Sequence, residues 1–337
     1  MDGSGSGVAT ERGKRFRSPA PVLRHPRLTL GTALVAVFLA VLPRLDLLGG
    51  GWIPVLQALV PVICLGAALV SVFMLLGRRW VPALLLLAGA VLGMLPALVL
   101  GDNPQVSSAV PITVFSVNVE HSQADPGALA ETIKVHHVEV VILVEVDEPL
   151  IGNLLAHGVK GLLPYRSPTV TPGDTAGTVI LSKYPLHQES RIPVVDGLVA
   201  FDQPTAIIRH PQLGPIRVAA VHPLAPVVDG AVQWRRTLGS IRVWQALHTE
   251  VPLVLAGDFN ASYAHPAFRE LARDLTDTAT AAGIVPLPTW PANGRIPAFT
   301  AIDHVLTRGL SATSWQRVSI PNTDHYGILA TVTGVEP

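Results

Sequence analysis

The stretch Leu253-Val-Leu-Ala-Gly-Asp-Phe-Asn260 is apolar through Ala256, passes a glycine, and ends on a carboxylate and an amide. A continuous apolar run this short, opened by Pro252, predicts a strand over Pro252–Ala256 that is buried on both faces. The polar residues that follow such a strand lie where a layered α/β fold presents a site. The same pattern recurs along the chain. Val140-Val-Ile-Leu-Val-Glu145, within the apolar run Val138–Val144, ends on a carboxylate, and Arg217-Val-Ala-Ala-Val-His222 ends on an imidazole. Ile112–Asn118 ends on an amide, Ala301-Ile-Asp-His-Val-Leu306 carries Asp303 and His304, and Asp324 and His325 precede Ile328–Val332.

Between these runs the periodicity changes. Gly127–His137 reads as a helix with Asp125 as N-cap and Pro126 at its first position. Val232–His248 has helical spacing at Trp234, Leu238, Ile241 and Leu247, and Pro266–Ala272 is a short helix. Gly177–Ser182, Thr205–Arg209, Ile216–Val221, Ala301–Thr307 and Ser314–Ser319 read as further strands. Many strands with helices between only some of them predict an α/β fold of mixed sheets layered between helices.

Upstream the solvent changes. Of 337 residues, 24 are Lys or Arg and 24 are Asp or Glu, and 49% are hydrophobic against 14% charged. That composition excludes a disordered chain and a protein that coats nucleic acid by bulk charge. The single cysteine, Cys64, excludes an intramolecular disulfide framework and a Cys-rich zinc module. The zero net charge hides segregation: residues 102–337 hold 15 basic and 21 acidic side chains, net −6, so residues 1–101 carry +6.

Residues 1–27 form a basic, Gly/Ser/Pro-containing tail, read as disordered. Leu28–Pro43, Gly51–Gly77 and Val81–Leu100 are uncharged. About 20 apolar residues cross the hydrocarbon core as a helix. The expectation is a membrane region over 28–101 with spans near 28–48, 52–77 and 81–101, Arg44 snorkelling to the interface. The first segment also resembles a signal peptide, with small residues at Gly49–Gly51, or a helix lying on the membrane surface. The positive-inside rule favours three spans: the tail and the Arg78–Arg79 loop are then both cytoplasmic, whereas two spans strand Arg78 and Arg79 outside. The reading is a multi-pass protein of the cell membrane, a linker over 102–111, and a catalytic domain over 112–337 on the extracytoplasmic side.

Each polar residue alone has a structural explanation, as a turn former, a helix cap or a hydrogen-bonded core histidine. Their repetition at strand ends is what points to a site. The ordered set Asn118, Glu145, His222, Gly257-Asp-Phe-Asn260, Ile302-Asp-His304 and Thr323-Asp-His325 resembles the endonuclease/exonuclease/phosphatase family, from about Ile112 to Val332. Gly177-Thr-Val-Ile-Leu-Ser-Lys-Tyr-Pro185 and Pro288-Thr-Trp-Pro291 support the resemblance. It implies a deoxyribonuclease-I-like four-layer α/β sandwich, two mixed sheets flanked by helices, and hydrolysis of phosphate esters with Mg²⁺ or Mn²⁺. By the same resemblance Glu145 holds the metal and Asp324 shares that task. Asn118 holds the metal-bound water or a phosphate oxygen, and Asp258 with Asn260 orients and deprotonates the attacking water. His325, paired with Asp303, stabilises transition-state charge, and His222 donates to a phosphate oxygen or the leaving group.

Thr323 stands where the family usually has Ser and keeps the hydroxyl; Tyr326 and Gly327 are expected to reshape the rim of the site. Val195–Gln203 is a distinctive segment with no assigned role. The chain has no Walker loop, Ser182 lacks a nucleophile-elbow turn, and His136, His137 and Glu139 at a helix end read as structural. His304 points to the face opposite Asp303 and is left out of the site.

The substrate expected is a phosphodiester, in nucleic acid or in a phospholipid headgroup of the sphingomyelin type. The net charge of −6 and scattered basic residues argue against tight nonspecific binding of DNA. Two other classes compete. One is an inactive, membrane-tethered binding module, disfavoured because all the matched positions are filled. The other is a transporter or channel with the soluble domain as accessory, disfavoured because three helices without a buried charge away from Arg44 and Asp46 give little from which to build a polar pathway.

Overall fold

The computed structural model describes residues 26–47, 51–98, 106–167, 177–193, 201–227 and 230–335. The expected basic tail lies outside the described residues. The apolar region folds as α1 (Pro26–Val41), α2 (Ile53–Ala58), α3 (Val60–Leu76) and α4 (Trp80–Met94). Among the described residues two stretches, Pro26–Arg44 and Trp80–Ala97, are long and apolar enough to cross a membrane, and the uninterrupted helix between them, Val60–Leu76, has 17 residues. The expected span over 52–77 is therefore divided. Pro61 supplies no backbone N–H near the start of α3, so α2 and α3 meet at Leu59 as separate helices.

Small residues let these helices approach closely. A Cβ on Gly89 would meet the Ala36 Cα at 2.3 Å, and one on Gly93 the Leu39 carbonyl oxygen at 2.7 Å. Phe38, Leu65, Leu69 and Phe73 face outward with half or more of their surface exposed. Thr32 and Ser71 satisfy their hydroxyls on carbonyls one turn back. Arg44, expected to snorkel, donates to the Ala40 and Leu92 carbonyls and ties α1 to α4.

The rest of the chain contributes β1 (Val106–Asn118), α5 (Pro126–Val135), β2 (Val140–Val146), α6 (Glu148–Leu154), α7 (Lys160–Leu162), β3 (Tyr165–Arg166) and β4 (Gly177–Ser182). It continues with β5 (Leu186–Gln188), β6 (Thr205–His210), β7 (Gly214–Val221), α8 (Ala231–Leu247), β8 (Leu253–Asp258), α9 (Pro266–Ala272), β9 (Thr276–Asp277) and α10 (Thr278–Ala281). β10 (Asp303–Arg308), β11 (Leu310–Ser319) and β12 (Tyr326–Val335) close it. β1 begins at Val106, inside the segment 102–111 read as a linker, and pairs there with Val335 of β12 across an irregularity that ends at Pro111.

Two six-stranded sheets form, in the orders β11-β12-β1-β2-β4-β3 and β5-β6-β7-β8-β10-β9. Both are mixed, with parallel pairs β1/β2 and β7/β8 at their centres. Ile142, Val114, Val218 and Val254 belong to the core between the sheets. Leu129, Ile133 and Ile151, from α5 and α6, cover the outer face of the first sheet, and Trp234, Leu238 and Phe268, from α8 and α9, that of the second. Helix, sheet, sheet and helix are the expected layers. Asp125 caps α5 through its side chain on the Ala128 N–H, as its position before Pro126 predicts.

Candidate active site

Topology brings the strand ends together. β1 and β2 run parallel, as do β7 and β8, so Asn118, Glu145, His222 and Asp258 lie at strand ends on one side of the two sheets. β10 runs antiparallel to β8 in a register that sets its first residue, Asp303, opposite Asp258. β12 runs antiparallel to β1, which returns Asp324 and His325, just before it, to the end of β1. All eight residues predicted from the sequence converge on this region.

Local backbone shapes each position. Glu145 has φ +60° where the β2/β4 register shifts between Val144 and Val146, a left-handed conformation that re-aims the side chain. Asn260 has φ +48°. Gly257 has φ +146°, and a Cβ there would sit 2.0 Å from the Val221 carbonyl oxygen. Only glycine lets β8 pass β7 this closely just before Asp258.

Asn118 is fully buried and central. Its Nδ2 donates to Glu145 Oε1 at 2.9 Å and to Asp258 Oδ2 at 3.1 Å, while its Oδ1 accepts the Glu120 N–H at 2.9 Å. Glu145 also accepts the His121 N–H at 3.1 Å and faces His222 Nε2 at 3.5 Å. Burial pushes the Glu145 carboxyl up, and the contacts from His222 and Asn118 overcome it, holding the group at about 2. Asp258 accepts the Asn260 N–H at 2.7 Å, and Asn260 Nδ2 donates to the Pro223 carbonyl at 3.0 Å. Burial and then the nearby Asp303 push the Asp258 carboxyl up.

His325 Nδ1 contacts both Asp303 oxygens, at 2.9 and 3.2 Å. Its Nε2 faces Asp258 Oδ2 at 3.8 Å and Asp324 Oδ1 at 3.7 Å. Burial alone would depress this imidazole; the surrounding carboxylates, Asp303 first, reverse that and raise it, so it is a cation at neutral pH. Thr323 locks the arrangement: its hydroxyl donates to the Asn118 carbonyl at 2.7 Å and accepts the His325 N–H at 3.2 Å. Threonine thus keeps the role expected of a hydroxyl here. Gly327, expected to shape the rim, instead packs inward, since a Cβ there would meet Phe115 at 2.5 Å. Tyr326 carries the Arg317 guanidinium 4.6 Å above its ring.

Among the described residues two sets of ligand-type side chains have atoms within 4.8 Å of one another: Glu145, His222 and Asp258, and Asp258, Asp303 and His325. The first set offers two carboxylates and an imidazole whose Nδ1 is buried without a hydrogen-bond partner. Carboxylate oxygens suit a hard divalent cation, so the residues fit Mg²⁺ or Mn²⁺. Asp324, expected beside Glu145 as a ligand, falls in neither set. Its Oδ2 accepts the Trp290 Nε1–H at 2.9 Å, and it lines the same cavity as Glu145.

Four further residues, Phe201, Trp290, Glu120 and His121, contribute to the site beyond those expected from the sequence. Phe201 stacks on His222, with ring centroids 4.3 Å apart; it belongs to the distinctive segment Val195–Gln203, of which residues 195–200 lie outside the described residues. Trp290 orients Asp324, and its signal was present in the Pro288-Thr-Trp-Pro291 motif. The turn after β1 places Glu120 and His121 at the cavity, without a residue pattern that marks it. His304 is held between Asp277 Oδ2 at 3.0 Å and the Ala261 carbonyl at 3.0 Å, a buried structural contact. Glu139 binds Lys183 and Tyr184, and Ser182 accepts the Tyr184 N–H, so both are structural as read.

A sequence profile described as the endonuclease/exonuclease/phosphatase family matches residues 115–325, and the chain belongs to that family. No curated protein matches the sequence closely enough to count as a relative. Solved structures share the fold at low identity. An endonuclease/exonuclease/phosphatase from Beutenbergia cavernae is 22% identical with a TM-score of 0.50, over 67% of this chain and 72% of its own. D. rerio TDP2, solved with a single-strand DNA product, is 13% identical with a TM-score of 0.54, over 66% and 99%. Staphylococcus aureus beta toxin, solved as a mutant with bound magnesium ions, is 16% identical with a TM-score of 0.50, over 66% and 99%.

Proposed function

We propose that this chain is a membrane-anchored, divalent-metal-dependent phosphodiesterase. The observation that carries the reading is the buried cluster in which Asn118 bridges Glu145 and Asp258 beside the His325–Asp303 pair. Glu145, ionised at any physiological pH, holds the cation, and Asp324, which lines the same cavity, shares that task. Bound there, Mg²⁺ or Mn²⁺ would act as a Lewis acid on a phosphoryl oxygen. Asp258, its proton affinity raised, takes a proton from the attacking water, and the Asn260 N–H orients its carboxylate. The His325 cation, fixed through Nδ1 by Asp303, leaves Nε2 to stabilise charge gathering on the phosphate oxygens. His222 donates to a phosphate oxygen or to the leaving group.

The anchor reading is three spans, with α2 and α3 together as the second. The loop between α1 and α2, with the first turn of α2, supports it. Asp46 pairs with Arg235, the Pro43 carbonyl accepts from Arg269 at 2.6 Å, and the Pro54 carbonyl accepts from His265 at 2.9 Å. That loop therefore sits against the catalytic domain, as it does when both are outside the cytoplasmic membrane and the Arg78–Arg79 turn is inside.

The test is turnover of a small diester, bis(p-nitrophenyl) phosphate, by the purified full chain in detergent. Turnover with Mg²⁺ or Mn²⁺, abolished by EDTA and restored by excess metal, is the expected result. A chain that hydrolyses the diester equally in EDTA, or with neither metal, overturns the reading. A reporter fused after Pro337 should report the external side, and a cytoplasmic signal overturns the topology.

A further inference from the structure

The cavity over the site, about 850 Å³, has two unlike halves. Its floor is the polar cluster of Glu145, Asp258, Asp324 and His325. One wall comes from the anchor: Pro54, Val55, Ala58 and Leu59 of α2 and its end line the same cavity. Leu224, Pro226 and Val227, after β7, extend the apolar surface. Among the described lining residues none is Lys or Arg, the side chains that would follow a chain of phosphates.

The wall is fixed in place. The buried His265 accepts the Ser262 N–H at Nδ1 and donates from Nε2 to the Pro54 carbonyl at 2.9 Å. Gln57, buried on the other side of α2, donates to the Leu42 and Leu45 carbonyls at 2.9 and 2.8 Å. α2 leads through Leu59 into α3, whose Leu65, Leu69 and Phe73 face outward.

We infer that the substrate is an amphiphilic phosphodiester, a membrane lipid whose phosphate rests on the carboxylate–imidazole floor while its acyl chains run along α2 to the bilayer. The inference rests on the phosphodiesterase reading and names its substrate class. The anchor is then part of the binding pocket as well as a tether. In the reaction the oxygen of one water bonds to phosphorus and the bond from phosphorus to one ester oxygen breaks. One water proton ends on the departing alcohol and the other stays with the phosphomonoester.

The test compares three substrates with the full chain in mixed micelles and Mg²⁺: a phospholipid–sphingomyelin mixture, bis(p-nitrophenyl) phosphate and a single-stranded oligonucleotide. The lipid mixture should give the highest kcat/KM. Val55→Ser and Leu59→Ser should each lower kcat/KM for lipid about tenfold more than for the small diester, the size of one lost apolar contact. Leu56→Ser, on the same helix but outside the cavity lining, should keep the wild-type ratio. Preferential cleavage of the oligonucleotide, or wall variants that scale lipid and small diester equally, overturns the inference and leaves the phosphodiesterase reading standing. Absence of metal-dependent turnover on every substrate overturns both.

Discussion

Replacing Thr323 by Val keeps the volume and removes one oxygen. That oxygen joins the end of β1, through the Asn118 carbonyl at 2.7 Å, to the loop that carries His325, through its N–H at 3.2 Å. Thr323 is buried, so water cannot replace it. A buried carbonyl left without its donor costs about 1–3 kcal/mol, and the longer contact adds about 1 kcal/mol, so the expected loss is about 2–4 kcal/mol. For a domain of this size that lowers Tm by about 4–16 °C. Turnover should fall further than stability accounts for when assayed well below Tm, because Asn118 and His325 shift relative to each other. A displacement of 1 Å at reacting groups costs about 100-fold. The control is Thr323→Ser, which keeps the hydroxyl and should stay near wild type in both Tm and diester turnover. Thermal unfolding followed by circular dichroism, with diester kinetics on the same preparations, makes the comparison. A Thr323→Val protein as stable and as active as Thr323→Ser would refute the reasoning.

Gly257→Ala puts a Cβ 2.0 Å from the Val221 carbonyl at φ +146°, so it should destabilise by at least about 3 kcal/mol, read by denaturant unfolding, and displace Asp258. Asp303→Asn should cut diester turnover about 10²–10⁴-fold, because the His325 imidazole loses the group that fixes its orientation and favours its charged form. Burial holds the His265 imidazole down at about 4 against an ordinary 6.5, so the fold favours its neutral form. The stability this provides is complete above about pH 6.5 and is lost as pH falls toward 4, by up to about 3 kcal/mol, and His265→Gln should flatten that acid limb of the unfolding profile.

The strands of the central core were legible because a strand buried on both faces is a continuous apolar run, as in Val140–Val144 and Leu253–Ala256. The site was legible for a related reason: strongly polar side chains directly after such runs are costly unless they are paired, and here they pair with one another. Short edge elements were not. β3, β5 and β9 have two or three residues each, too few for alternation to register, and α6 begins in the Asp147–Glu148 cluster, which reads as a solvated edge. The break between α2 and α3 was hidden by unbroken hydropathy, although Pro61 marks it. The docking of α2 beside the site depends on hydrogen bonds to backbone carbonyls more than 200 positions away in sequence, His265 to Pro54 and Arg269 to Pro43, which no local pattern encodes. Phe201 on His222 is likewise a contact between residues whose spacing carries no signal.

The central claim is metal-dependent phosphodiester hydrolysis with Asp258 at the attacking water. The measurement that tests it most directly is kcat for bis(p-nitrophenyl) phosphate with Mg²⁺, in the full chain and in Asp258→Asn. The amide keeps the shape of the carboxylate and removes a charge that faces Asp303, so circular dichroism should show an intact fold. Activity should fall by about 10²–10⁴-fold or more. Turnover near the wild-type rate in a folded Asp258→Asn protein would contradict the account.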